Sequence, residues 1–310
     1  MGFYENLAAQ SAPITVAPES TSYFSESNPG LDPRLFRSEQ LIGTVRQDIL
    51  GLLFNHLKAH YYNPEAYTHA WLAGSGVSFQ WAAQRDPADL DCLVGIDYNS
   101  FRRANSQYVG FSDQEIADTI NDDLRIELWP QTSHYLGVFE LTFYVNVASD
   151  IRQIKPYAAY SLTDDDWVVE PQIMSAPTNK KWEQLVDRDL AQGTGIVDRY
   201  TKALTAIEAS KNDAARLNAQ SALKLAVQQG AALFDAIHSG RSLAFSKNGL
   251  GYEDYANYRW QSGKASGLIP ALKTMKEIST KSRQEFESQT YGMTLPDVKV
   301  LIRRALRYNN

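Results

Sequence analysis

The spacing of apolar residues changes near residue 175 of this 310-residue chain. Before that point, short runs such as 70–73 and 90–96 are apolar or alternate with polar residues between glycines and prolines, which is typical of strands. From about Lys180 the apolar residues recur every three or four positions, as in amphipathic helices. The pattern predicts an α/β domain over residues 36–175, followed by an α-helical domain over 176–310.

The same two periods predict the individual elements. Predicted strands cover Ala70–Ala73, Leu90–Ile96, Arg125–Trp129 and Val138–Val147. Predicted helices cover Ser38–Tyr61, Val77–Ala83, Asp113–Leu124 with Ser112 as N-cap, Trp182–Leu190, Ile196–Ala209, Ala214–Ile237, Leu268–Ile278 and Val298–Leu306. Glycines at 240, 249 and 251 predict the main interruption of the helical part, and the acidic run 164–166 predicts a solvated turn.

Composition limits the class of protein. Residues 1–35 are rich in Ser, Pro, Glu and Asn without a sustained period, which predicts an extended or disordered arm. The net charge of −6 disfavours a sequence-independent nucleic-acid binder or a reader of DNA grooves. The single cysteine, Cys92, cannot form a disulfide within the chain, and no apolar run reaches the roughly 20 residues that span a bilayer. We therefore expect a cytoplasmic protein without a membrane partner.

Two acidic residues lie at the start of a predicted strand, in Pro87-Ala88-Asp89-Leu90-Asp91-Cys92. Residues two apart in a strand point to the same face, so Asp89 and Asp91 are expected to project together while Cys92 faces the core. Two neighbouring carboxylates repel each other unless a cation lies between them. A site made of oxygen ligands favours Mg²⁺ or Mn²⁺.

A glycine turn precedes this strand, in Ala73-Gly74-Ser75-Gly76. Small residues allow backbone N–H groups to approach a phosphate, the Ser75 hydroxyl adds a donor, and the predicted helix after the turn would add its positive end. A triphosphate cradle beside two metal ions is the arrangement that in-line nucleotidyl transfer requires.

With Gly74-Ser75, a spacer of 13 residues, and Asp89-Leu90-Asp91-Cys92, the chain resembles the DNA polymerase beta-like nucleotidyltransferase superfamily over about residues 40–150. The resemblance implies an α+β fold, in which a nucleotidyltransferase core made of a short mixed sheet with helices precedes the α-helical domain. It also implies a third carboxylate on a later strand. Glu140 is our choice for it because it is the sole carboxylate in the strand-like run 139–145, and Glu127 in the neighbouring predicted strand competes for the role. The resemblance implies that the three carboxylates hold two Mg²⁺ or Mn²⁺ ions.

The resemblance also implies a helical domain that closes over the nucleotide. The aromatic segment 245–260 is a candidate for stacking on a base, with Arg259 or Lys264 meeting phosphates, and helix packing is the alternative. His56 and His60 are four residues apart on a predicted helix, but no third metal ligand is evident nearby in sequence, so they are predicted to be ordinary helix residues.

The predicted activity is transfer of a nucleoside monophosphate from a nucleoside triphosphate, by default ATP, to an acceptor hydroxyl, with release of pyrophosphate. The acceptor is a small molecule, a protein or an RNA, and the acidic net charge favours one of the first two. One alternative is a nucleotide-binding or partner-binding protein that keeps the fold without catalysis. Another is a nucleotidyltransferase toxin that acts on RNA or protein.

Overall fold

The chain divides into two units in a computed structural model, which describes residues 3–4, 7, 13–19, 23–82, 86–246 and 248–294. The α/β unit comprises the described residues of Ser22–Ala176 and of Phe245–Tyr252. The helical unit comprises Pro177–Ala244 and the described residues of Met1–Thr21 and Glu253–Leu301. The fold is a mixed α+β one with a small mixed sheet, as the sequence predicts at that level. The predicted helix Val298–Leu306 lies outside the described residues.

The elements of the α/β unit are as follows. Its strands are β1 (Phe36–Arg37), β2 (Gln40–Leu41), β3 (Thr68–Ala73), β4 (Ala88–Ile96), β5 (Phe139–Val145), β6 (Ala159–Ser161) and β7 (Asp166–Val169). Its helices are α1 (Gly43–His60), α2 (Tyr98–Ala104), α3 (Asp113–Asp123), a π-helix (Leu124–Leu128) and α4 (Trp129–Thr132). Single 3-10 turns lie at Pro64–Ala66, Ser75–Val77, Ser106–Tyr108 and Ile151–Ile154.

The main sheet has the strand order β5-β4-β3-β6-β7. Only the β4–β5 pair is parallel; β3 is antiparallel to both β4 and β6, and β6 is antiparallel to β7. One face of β4 carries Leu90, Cys92 and Val94 into the large core of this unit, where α1 and α3 also bury their apolar faces. The opposite face of the sheet is left with a smaller apolar cluster around Trp71 and room for polar side chains.

The helical unit contains α5 (Lys180–Glu208), α6 (Asp213–Ala244), α7 (Tyr255–Ala265) and α8 (Leu268–Tyr291). The two predicted helices between 182 and 209 are one continuous helix, α5. Gly193 inside it serves close packing, since a Cβ there would lie 2.1 Å from a methyl carbon of Leu268. Helix α6 likewise continues through Gly240, so the predicted interruption at that residue is wrong. No helix among the described residues is long and apolar enough to cross a membrane.

Residues 13–19 of the predicted arm have no regular secondary structure. Ile14 packs in the core of the helical unit, and the backbone N–H of Glu19 donates to the carbonyl oxygen of Ala265 at 2.7 Å. Farther along, Leu35 is fully buried in the core of the α/β unit. The described parts of this segment therefore contribute to both cores.

Three local predictions in the α/β unit are wrong. Arg125–Trp129 is not a strand but a π-helix that continues α3 and leads into α4. The predicted helix Val77–Ala83 is a single 3-10 turn ending at Val77, with residues 78–82 irregular and residue 83 outside the described ranges. Helix α1 begins at Gly43 rather than Ser38, because residues 36–41 form the β1–β2 hairpin.

Two further predictions are confirmed. Ser112 caps α3 in a capping box: its hydroxyl accepts from the Glu115 N–H while the Glu115 carboxylate accepts from the Ser112 N–H. Such a box satisfies two helix N–H groups at once. Within the acidic run 164–166, Asp164 and Asp165 lie in the turn between β6 and β7, and Asp166 begins β7. Asp165 has a positive φ, and the Ser161 hydroxyl donates a hydrogen bond to Asp164.

Candidate active site on the sheet

The alternation predicted for β4 is present in the structure. Asp89 and Asp91 are half-buried on one face of the strand, whereas Leu90 and Cys92 on the other face are fully buried. Burial raises the pKa of the Cys92 thiol far above its ordinary range, with the nearby Asp91 as a smaller cause. Cys92 is therefore a core residue, as predicted, and the acidic face of β4 remains open for chemistry.

Glu140 lies beside this acidic pair. In the parallel β4–β5 register, Asp89 is the direct partner of Glu140, and Asp91 is the direct partner of Thr142. Partner residues on adjacent strands project from the same face of a sheet, and the strands are about 4.8 Å apart. The three carboxylates at 89, 91 and 140 thus lie on one face at the start of β4 and β5.

Asp91 lies between Thr142 and Gly74. The hydroxyl of Thr142 donates a hydrogen bond to Asp91 Oδ1 at 3.0 Å. On the other side, a Cβ placed on Gly74 would lie 3.2 Å from Asp91 Oδ2, because Ala73 at the end of β3 pairs with Asp91. The glycine turn and the carboxylate are therefore in direct proximity.

Gly74 has φ 85° and ψ −159°, a backbone conformation that is essentially restricted to glycine. The turn that follows is closed by the N–H and hydroxyl of Ser78, which both donate to the carbonyl oxygen of Ser75 at 3.1 Å. Gly76 presses on β4, where an added Cβ would lie 2.9 Å from the Asp89 carbonyl oxygen. The turn packs closely against the strand, and the helix expected after it is absent from the described residues that follow, which form a single 3-10 turn and an irregular segment.

Trp129 contacts Glu140 in a way that the sequence did not indicate. Its indole N–H donates to Glu140 Oε1 at 3.2 Å, and its side chain remains 41% exposed. The contact exists because the π-helix and α4 bring residue 129 next to β5. A strand over 125–129, as predicted, would not have suggested it.

Glu127, the competing candidate for the third carboxylate, is placed elsewhere. It lies on the π-helix, where its Oε2 is 2.9 Å from His60 Nε2. Glu127, His56 and His60 form a cluster in which the ligand atoms all lie within 4.8 Å of one another. Among the described residues, it is the one such cluster of three or more His, Cys, Asp or Glu side chains. The oxygens of Asp89, Asp91 and Glu140 are more widely spread.

The two predicted phosphate contacts, Arg259 and Lys264, lie on α7 of the helical unit. Arg259 makes a two-pronged ion pair with Asp189, with N···O distances of 2.6 and 2.7 Å. The hydrogen bonds to Asp189 raise the pKa of Arg259. Nearby, Tyr255 and Tyr258 pack against Trp182 with ring centroids 5.6 and 5.5 Å apart. These contacts are those of helix packing; a nucleotide role for Arg259 and Lys264 stays a prediction.

Comparison with protein family models, curated proteins and solved structures found no match to this chain.

Proposed function

We propose that the chain is a metal-dependent nucleotidyltransferase whose active site is the acidic face of β4 and β5. The observation that carries this proposal is the parallel register that places Glu140 beside Asp89 and next to Asp91. Asp89 and Asp91 already share one face of β4, and the pairing with β5 adds Glu140 to that face while the apolar residues of both strands enter the core.

The donor set fits the expected ions. The three side chains offer carboxylate oxygens, with the Thr142 hydroxyl behind Asp91, and such a set suits Mg²⁺ or Mn²⁺. The oxygens of these three carboxylates do not all lie within 4.8 Å of one another, and carboxylates spread in this way would hold two ions rather than one. The spread of the three carboxylates is therefore compatible with a two-metal site.

The protein groups have separate roles in this proposal. Asp89, Asp91 and Glu140 would hold the ions, which when bound lower the pKa of the acceptor hydroxyl and neutralise charge on the leaving pyrophosphate. The Gly74–Ser75 turn would bind the β and γ phosphates through backbone N–H groups and the Ser75 hydroxyl. Thr142 and Trp129 act as positioning residues, since each donates a hydrogen bond to one of the carboxylates.

The reaction follows from these roles. The acceptor hydroxyl would attack the α-phosphorus of a nucleoside triphosphate, by default ATP, forming a new phosphodiester bond. The bond to the pyrophosphate oxygen breaks, and the hydroxyl proton passes to a carboxylate or to solvent. The acceptor is a small molecule, a protein or an RNA; the net charge of −6 favours the first two.

The test is transfer of label from each of the four ribonucleoside triphosphates, labelled at the α-phosphate, in the presence of Mg²⁺ or Mn²⁺. Metabolites, proteins and RNA from host cells are offered as separate acceptor fractions. Label should enter one fraction with the natural chain and not with an Asp89→Asn/Asp91→Asn variant. Equal labelling by both proteins would contradict the proposal.

A second candidate is a nucleotide-binding protein without transferase activity. It is favoured by the hydrogen bond that holds Glu140 to Trp129 and by the spread of the carboxylate oxygens. Nucleotide binding that persists unchanged when divalent ions are removed, with no label transfer to any fraction, would support this second function over the first.

A further inference from the structure

A second cluster of metal-binding side chains lies in the α/β unit, on different residues from the acidic face. His56 and His60 occupy the last turns of α1, four residues apart, with ring centroids 4.7 Å apart. Residues four apart in a helix share a face. The π-helix brings Glu127 to the same face, so that the ligand atoms of all three side chains lie within 4.8 Å of one another.

One distance within the cluster is close to that between two ligands of a zinc ion. Two ligand atoms of a tetrahedral Zn²⁺, each about 2.0–2.1 Å from the ion, lie about 3.3 Å apart. His60 Nε2 and Glu127 Oε2 are 2.9 Å apart, so a separation of a few tenths of an ångström would admit the ion. The side chains of His60 and Glu127 are 29% and 51% exposed, which leaves a route for the ion and for a water ligand.

His56 supplies an independent observation. Its Nε2 atom is buried and has no hydrogen-bond partner within the described part of the chain. Buried polar atoms in folded proteins nearly always have a partner. A bound metal ion would be such a partner, because a neutral imidazole nitrogen is a common metal ligand. An ordinary hydrogen-bonded His60–Glu127 pair would leave this nitrogen unexplained.

The backbone that carries Glu127 is also unusual. A π-helical turn is rarer and less stable than an α-helical one, and such turns occur frequently at functional sites. Here Leu124 and Leu128 anchor the turn in the core while Glu127 faces the histidines.

We propose that His56, His60 and Glu127 form a mononuclear binding site for a divalent transition metal ion, with Zn²⁺ as the best-fitting ion and water as a fourth ligand. Two imidazoles and one carboxylate are a donor set that zinc uses in proteins, whereas Mg²⁺ prefers oxygen ligands alone. The site therefore differs in chemistry from the acidic face and does not depend on the proposed transferase activity.

The ion would connect two elements of the α/β unit. It would join the end of α1 to Glu127 on the π-helix. Glu127 lies two residues before Trp129, whose indole N–H donates to Glu140. Bound zinc is thus expected to hold in place the segment that positions one of the carboxylates of the candidate active site.

The test uses the full-length chain without a histidine tag, freed of metal by a chelator. Zn²⁺ is titrated by calorimetry, and Co²⁺ is added separately as a spectroscopic probe of nitrogen and oxygen ligands. The variants are His60→Ala and Glu127→Gln, and the matched control is His134→Ala, an exposed histidine of the same unit. An Asp89→Asn/Asp91→Asn variant shows whether the ion binds at the acidic face instead.

We expect one Zn²⁺ per chain and visible absorption from bound Co²⁺. The affinity for Zn²⁺ should fall at least 10- to 100-fold in His60→Ala and Glu127→Gln, because losses of about that size follow even when a group behind a metal ligand is removed. The control and the Asp89→Asn/Asp91→Asn variant should bind as the natural chain does. If His60→Ala does not fold, Glu127→Gln decides, because it removes the charge of a half-exposed side chain and keeps its size. Failure to bind Zn²⁺, or equal binding by Glu127→Gln, would overturn the proposal.

Discussion

Asp89 on β4 and Glu140 on β5 are direct partners in the only parallel strand pair of the main sheet. Like charges in directly opposed positions of a sheet destabilise it. The fold nevertheless orients two of the three acidic side chains on this face: Trp129 donates to Glu140, and Thr142 donates to Asp91, the next acidic residue along β4. Hydrogen bonds that orient neighbouring acidic side chains are expected where the carboxylates bind a cation.

Glu140→Gln is expected to reduce label transfer by about 10²- to 10³-fold, the scale seen when one group that stabilises charge is removed from an active site. The substitution keeps the size of the side chain and its ability to accept from Trp129, so the folded structure should persist. The control is Glu170→Gln, an exposed carboxylate after β7 in the same unit. Equal activity of the two variants would remove Glu140 from the metal-binding set.

Gly74→Ala is expected to lower the free energy of unfolding by about 1–3 kcal/mol, because φ 85° with ψ −159° is strained for any residue with a Cβ. The new methyl would also lie against Asp91 Oδ2. Urea denaturation measures the change. Gly51→Ala on α1 is the matched control: its Cβ meets nothing within 4 Å, and the helix should gain about 0.5–1 kcal/mol. Similar changes in both variants would contradict the structure of the turn.

Thr142→Val removes the hydroxyl that donates to Asp91 while nearly keeping the shape of the side chain. We expect a 10- to 100-fold loss in metal affinity or rate, the usual effect of removing a hydrogen bond behind a metal ligand. The concentration of Mg²⁺ needed for half-maximal activity should rise. Thr142→Ser, which retains the hydroxyl, should restore most of the activity; if it behaves as valine does, the hydrogen bond is not what matters.

Cys92 gives a test of the fold that is independent of function. Burial raises the pKa of its thiol, so the folded chain keeps the proton at pH values where the unfolded chain, with an ordinary pKa near 9.0, has released it. Burial of the neutral Cys92 thiol therefore makes its full contribution to the free energy of unfolding below about pH 9.0. This contribution is lost as the pH rises above that value. Cys92→Val should remove this part of the pH dependence of unfolding.

Thiol reagents offer a second check on Cys92. At neutral pH the native chain should react far more slowly than the urea-unfolded chain, because only the thiolate reacts and the side chain is buried. Rapid reaction of the native protein would show that β4 does not turn this face to the core.

The acidic face of β4 could be predicted from the sequence, because side chains along a strand alternate between its two faces. Leu90, Cys92 and Val94 must face the core, and Asp89 and Asp91 then project to the other side. The partnership of Asp89 with Glu140 could not be derived in that way. It depends on parallel pairing between distant strands, which no local pattern specifies, and only the family resemblance suggested Glu140.

The π-helix shows where local patterns mislead. Polar and apolar residues alternate through Arg125-Ile126-Glu127-Leu128, as in a strand. The decisive contacts are Leu124 and Leu128, four residues apart and both buried, which is the spacing of a helix continuing from α3. Five residues are too few to distinguish the two periods. The error concealed both the Trp129–Glu140 contact and the place of Glu127 beside the two histidines.

Binding of metal ions and a nucleotide at the acidic face of β4 and β5 can be tested without knowledge of the acceptor. Crystals of the full chain grown with Mn²⁺ and a nucleoside triphosphate analogue that cannot release pyrophosphate are measured at a wavelength where manganese scatters anomalously. We expect manganese peaks about 2.0–2.4 Å from carboxylate oxygens of Asp89, Asp91 and Glu140, with the triphosphate against the Gly74–Ser75 turn. A nucleotide bound elsewhere, or manganese absent from these carboxylates while the analogue is bound, would contradict it.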